Sequence, residues 1–90
     1  MQTDKGDSSD LRVRDWAIHN PADLGRAIAG VRAAKGLTQE ALARQVEIDR
    51  GYLARLEAGA SQLVLERSLR ALRRMGATIT VSLPLDDERR

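Results

Sequence analysis

The side chains in this sequence best equipped for chemistry are its arginines. Of 15 Lys and Arg residues, only Lys5 and Lys35 are lysine, and a guanidinium is the better bidentate partner for a phosphate or a guanine edge. The charge is unevenly spread. From Pro21 to Gly76 ten basic residues stand against six acidic ones, while the flanks carry five basic and seven acidic. Covalent chemistry is poorly supplied by comparison. Cys is absent and His19 has no companion His, which leaves no disulfide framework and no Cys-based metal site. No Ser-His-Asp or Cys-His set assembles with a spacing logic, no glycine-rich phosphate loop is present, and no carboxylate pair sits in an evident pocket. The chain reads as a non-enzyme without a cofactor, whose chemistry is recognition.

Helices must position those arginines. "NPADLGRAIAGVRAAKG" opens with Asn20 as N-cap, Pro21 at the first helical position and Asp23 in the first turn. Leu24, Ile28 and Val31, with Ala27 and Ala34, recur at helical spacing, and Gly36 is placed to end the element. "LTQEALARQV" starts a second helix on Thr38, with Leu42 and Val46 expected to face inward. Asp49 caps a third, "RGYLARLEA", which Gly59 closes. A fourth is expected from about Leu65 to Met75, with Leu65, Leu69, Leu72 and Met75 on one face and Arg67, Arg70, Arg73 and Arg74 on the other. The core has to be aliphatic, because Phe is absent and Trp16 and Tyr52 are the aromatics. With 90 residues it is also modest, and a second subunit is the usual remedy.

The middle pair, "TQEALARQVEIDRGYLARLEAG", gives two helices of about eight residues joined by a very short turn, a helix-turn-helix. Ala43 is small where the third helix crosses the second, and Ile48 plugs the turn. Such a corner presents the start and outer face of its third helix, the part that enters a major groove. After the fourth helix, "ATITVSLPL" alternates Ile79, Val81 and Leu83 with Thr78, Thr80 and Ser82, the period of a half-buried strand ended by Pro84. In an otherwise helical chain this strand has no evident partner, and an identical strand from a second chain, antiparallel about a two-fold axis, is the simplest one. The segment "RVRDWAIHN" reads as a short extended lid over the helices, with Trp16 and Ile18 on one side.

At these residues the sequence resembles a known family. "GLTQEALARQVEIDRGYLARLEAG" is similar to the helix-turn-helix of XRE/Cro/C1-type repressors, with the Thr-Gln opening and the Leu-Glu-x-Gly close, and the resemblance runs from about Leu24 to Met75. With the "NPADLGRAI" opening and the terminal strand, the layout looks like the HipB-type antitoxins, which pair with HipA-type Ser/Thr kinase toxins. The resemblance implies a mainly α, lambda-repressor-like fold of four to five short helices, plus one C-terminal strand pairing across a homodimer through Thr78, Ile79, Thr80, Val81, Ser82 and Leu83. It also implies a DNA-binding set of Thr38, Gln39, Asp49, Arg50, Gly51, Tyr52, Arg55 and Ser61. Within that set Arg50 and Arg55 read guanine, Gly51 admits the backbone, Tyr52 touches a phosphate or thymine methyl, Gln39 a phosphate or nearby base, and Thr38 and Ser61 the DNA backbone. Two positions depart from the family: Glu47 stands at a usual turn Gly, and Gly51 replaces a short polar residue. Plainer readings exist beside these, with Tyr52 lying over the bundle, Arg55 paired to Asp49 or Glu57, and the four arginines of the last helix simply solvated.

The expectation is therefore an autoregulating repressor and antitoxin, a homodimer on a palindromic operator with a HipA-type kinase as protein partner and no membrane. Residues 1–20 form a flexible arm with the extended segment, 21–76 the helix-turn-helix domain, 77–84 the dimerisation strand and 85–90 a flexible tail. The polar start is no signal peptide and no apolar run suits a membrane span, which makes the cytoplasm the default setting. The rival readings are a stand-alone phage-type or metabolic repressor and a protein-interaction module that inhibits a partner by strand addition.

Overall fold

The computed structural model describes residues 13–84; the expected arm over 1–12 and tail over 85–90 lie outside them. Six elements follow in order: β1 (Val13–Ile18), α1 (Pro21–Ala34), α2 (Gln39–Val46), α3 (Arg50–Glu57), α4 (Leu63–Arg74) and β2 (Ile79–Pro84). The fold is mainly helical, with four helices and a small two-stranded antiparallel sheet.

Side chains start the first three helices. Asn20 Oδ1 accepts from the Asp23 amide at 2.8 Å, Thr38 Oγ1 from Ala41 at 3.0 Å, and Asp49 Oδ2 from Tyr52 at 3.1 Å. Each satisfies an amide that the first turn leaves unpaired. Asp23 answers Asn20 by accepting from the His19 amide at 2.8 Å, and that bond, followed by the charge of Arg26, lowers its pKa. Helix α4 has no such cap at Gln62 and begins two residues earlier than its leucine spacing predicts.

All four helices end in the same motif. Leu37, Ile48, Ala60 and Ala77 each send their amide back to a carbonyl five residues earlier: Arg32, Ala43, Arg55 and Leu72. The residue before each returning amide must be left-handed. Gly36, Gly59 and Gly76 take this role with φ of 71°, 85° and 80°, and Glu47 takes it with φ 59° and ψ 47°. The left-handed turn expected where the family has glycine is therefore present, built on a residue with a Cβ.

The terminal strand is not without a partner in its own chain. β2 pairs antiparallel with β1, Trp16 opposite Val81 and Ile18 opposite Ile79, so the segment expected as a lid is a true strand. Opposed residues share a face, which puts Trp16, Ile18, Ile79, Val81 and Leu83 toward the helices and Thr80 and Ser82 toward solvent. Ile18, Ala27 and Leu69 form the buried cluster, with Trp16, Leu24, Leu65 and Val81 packed against it. Val81 meets this cluster, whereas Met75, expected on the apolar face of the fourth helix, closes α4 and is 73% exposed. Val46 is likewise 51% exposed where an inward position was expected. The left-handed Glu47 returns the chain and brings half-buried Ile48 back over Ala43, leaving the end of α2 projecting. Ala43 and Leu53 are buried as the crossing of α2 and α3 requires.

Two glycines let α1 be approached closely. A Cβ on Gly25 would lie 2.6 Å from the Glu57 carbonyl oxygen and closer still to that of Leu56, and one on Gly30 would lie 2.9 Å from Trp16 Cε2. Alanine at a helix interior normally gains about 1 kcal/mol over glycine, whereas forcing a clash in a packed contact costs about 1–3 kcal/mol. Both Gly25→Ala and Gly30→Ala should therefore lower the melting temperature. The loss should be larger at Gly25, where the obstructing atoms are backbone. Gly30→Ala should also red-shift the emission of Trp16, the chain's single tryptophan, as the ring is lifted from α1.

Candidate nucleic-acid interface

The presented surface is built from α2 and α3 and the three residues between them, Glu47, Ile48 and Asp49. Apolar contacts bury Leu53 on the inner side of α3 and leave Arg50, Tyr52 and Arg55 exposed on the outer side. Arg55 places its guanidinium 5.8 Å from the centroid of the Tyr52 ring, within cation–π range. Tyr52 Oη in turn accepts from Gln62 Nε2 at 3.3 Å. Among the described residues neither Arg50 nor Arg55 makes an ion pair; Asp49 is occupied with its cap and Glu57 with another arginine. Two guanidinium groups thus stand exposed on one short helix, Arg50 at its start and Arg55 in its last turn, and a guanidinium is suited to base edges and phosphates.

The remaining members of the expected set are placed differently. Thr38 and Asp49 spend their side-chain oxygens on helix caps. Ser61 donates its hydroxyl to Glu66. Gly51 has a local reason of its own, because a Cβ there would stand 2.9 Å from Asp49 Oδ2 and crowd the cap. Gln39 turns inward, its Nε2 donating to Glu57 Oε1 at 2.9 Å.

That last contact belongs to a network the sequence reading missed. Glu57, whose side chain is 6% exposed, takes Arg32 Nε at 2.7 Å on one oxygen and Arg32 Nη2 at 2.9 Å on the other. Arg32 also donates to the Leu37 carbonyl at 2.8 Å. The fork ties α1 to α3 while Gln39 adds α2, so three helices meet on one carboxylate. Its sequence signal is an acidic residue at the C-terminal end of a helix, where the macrodipole disfavours negative charge; such a residue needs a specific cation. The hydrogen bonds from Arg32, then Gln39, lower the Glu57 pKa, and the carboxylate raises that of Arg32. Among the described residues no cluster of His, Asp and Glu is placed to hold a metal ion.

A carboxylate with a depressed folded pKa stabilises the fold above its ordinary value of 4.5, and that contribution disappears as pH falls through the lower folded value. Glu57→Gln should lower the melting temperature at neutral pH and flatten its decline between about pH 5 and pH 3. An unchanged acid limb in thermal scans would remove Glu57 from this role. Glu47→Gly tests the strained turn. Relief of the left-handed Cβ should raise stability by up to about 1 kcal/mol in denaturant titrations.

A family model described as a helix-turn-helix domain matches residues 23–88. No curated protein and no solved structure matches the chain. The matched span takes in α2, α3 and their left-handed turn, with most of α1, all of α4 and β2, and leaves β1 outside it. With the outer face of α3 free and its inner face locked to two other helices, the chain belongs to the DNA-binding helix-turn-helix domain family.

Proposed function

We propose that the protein is a sequence-specific repressor that binds a palindromic operator as a homodimer, controls its own promoter, and serves as the antitoxin to a partner toxin of the HipA-type kinase class. One observation carries the DNA-binding half. Arg50 and Arg55 are exposed on α3 and make no ion pair among the described residues, on the helix that Glu57 holds from behind. Arg50 and Arg55 read guanine through O6 and N7, Tyr52 packs on a phosphate or thymine methyl, and Thr38, Gln39, Asp49, Gly51 and Ser61 line the approach to the backbone. Gln39 can serve DNA only from the edge of its bond to Glu57, so its part is to set the angle between α2 and α3.

The dimer supplies two recognition helices at the one-turn spacing of about 34–36 Å that operator half-sites require. Strand β2 is its natural seam. β1 carries Arg14 and Asp15, whereas Ile79 to Leu83 has no charge and no proline, and it is charge and proline that normally guard a sheet edge. The antitoxin half rests on the "NPADLGRAI" opening and terminal strand that resemble the HipB type, with the cytoplasm as the setting. Among the described residues no helix is long and apolar enough to cross a membrane.

Binding to DNA from the chain's own promoter should show the assignment directly. Arg50→Ala and Arg55→Ala should each cost about 1–3 kcal/mol, roughly 5- to 150-fold in affinity, with relaxed discrimination at one base pair per half-site. Equal affinity and selectivity in both variants would sink the recognition-helix assignment. Copurification of a kinase-like protein with the untagged chain, identified by mass spectrometry, supports the toxin partnership, and a repressor that copurifies with nothing refutes it.

A further inference from the structure

Among the described residues the three most exposed large apolar side chains all belong to one element. Val64 is 80% exposed, Met75 73% and Leu63 57%, on α4 or at its cap. Val64, Ser68, Ala71 and Met75 follow one another at intervals of four, three and four, which sets them in one stripe along the helix. All four are exposed, on the side away from buried Leu69. The stripe has a saddle: Val64 and Met75 stand about 16 Å apart along the axis, with the small Ser68 and Ala71 between them. Ser68 donates its hydroxyl to the Val64 carbonyl at 2.8 Å, so covering it strands no hydrogen bond. A basic strip runs beside the apolar one. Arg67, Arg70 and Arg74 are exposed and make no ion pair among the described residues. The other charged members of α4 are engaged, Arg73 donating to the His19 carbonyl and Glu66 accepting from Ser61. Exposed arginines alone make a solvated face. Large apolar side chains left in water beside them do not, and an apolar stripe rimmed by charge is the form of a protein docking surface.

We propose that α4 is the seat of a partner protein, which lays an acidic amphipathic helix along it, apolar residues over Val64 to Met75 and carboxylates against Arg67, Arg70 and Arg74. The inference rests on the reading that this chain has a protein partner, and adds the face and the chemistry that hold it. Charge selects the occupant. A second copy using the same face would bring three more arginines and no free carboxylate to the contact. A DNA backbone would satisfy the arginines but leave Val64 and Met75 in water. An acidic amphipathic helix satisfies both strips at once, its apolar anchors spaced as a helix spaces them. One bulky side chain fits the saddle over Ser68 and Ala71, and each carboxylate can take a guanidinium through two parallel N–H···O bonds.

The test uses the protein that copurifies with the parent chain, its affinity for each variant measured by titration calorimetry. Val64→Ser combined with Met75→Ser changes no charge and alters only exposed positions, and circular dichroism checks that the helices persist. This variant should bind the partner about tenfold more weakly or worse. Arg67→Gln, Arg70→Gln and Arg74→Gln together should weaken it about as much at low salt and flatten the salt dependence of what binding remains. Both variants should keep the parent's salt slope on promoter DNA. Amide exchange in the complex should slow across α4 relative to the free chain. A partner held at parental affinity by either variant overturns the seat alone. A DNA salt slope reduced by about 0.9 for each arginine replaced makes these side chains phosphate contacts and overturns it too. A parent that copurifies with nothing overturns the seat together with the partner reading.

Discussion

The carboxylate of Glu57 accepts three hydrogen bonds from two side chains on two other helices. A charge this far from water is tolerated only when its partners are fixed before it arrives, and its partners are fixed by it in return. The orientation of α3 relative to α1 and α2 is settled by this reciprocity more than by apolar area, since the buried hydrophobic set is small and includes two alanines. Gly25 belongs to the same arrangement. It lets the α3 backbone at Leu56 and Glu57 come against α1, close enough for Arg32 to fork onto the carboxylate. A charged fork with two fixed bonds resists rotation of α3 in a way that leucine contacts do not.

Much of this was legible in the residues. Asn20, Thr38 and Asp49 announce helix starts because their short polar side chains suit an unpaired amide, and Gly36, Gly59 and Gly76 announce stops because the returning turn is left-handed. Glu47 was legible for the opposite reason, as a residue in a glycine's place. The outward placement of Arg50 and Arg55 was what the family resemblance implied, and both are exposed. What escaped was long-range. Arg14 and Ala17 interrupt the alternation that would have marked β1, and nothing local shows that Trp16 will stand opposite Val81. The burial of Glu57 depends on Arg32, 25 residues away, and no window of sequence contains both partners. Val46 and Met75 kept perfect helical spacing yet lie exposed, because periodicity assigns a face without saying where the neighbouring element ends.

The same distinction runs through the site. Arg50, Tyr52 and Arg55 reach outward one at a time, whereas Thr38 and Asp49 serve the helix starts read from the sequence and Ser61 is held by Glu66. An oxygen committed to a cap still shapes the interface, since it fixes where the first amides of α2 and α3 point. Gly51 shows the economy of the arrangement, clearing room for the Asp49 carboxylate and for any backbone that approaches from outside.

The sheet has a consequence for the order in which the molecule forms. Val13 stands opposite Pro84, so everything from His19 to Thr78 lies inside the loop that this pairing closes. Each helix can begin on local signals, but β1 has no strand to join until β2 has been made, and closing so long a loop is entropically slow. On a ribosome the recognition corner would take shape while the first strand still waited for the last. Completion of the sheet then marks the moment at which Trp16 and Val81 close together over α1, so the last strand made is the one that covers the first helix.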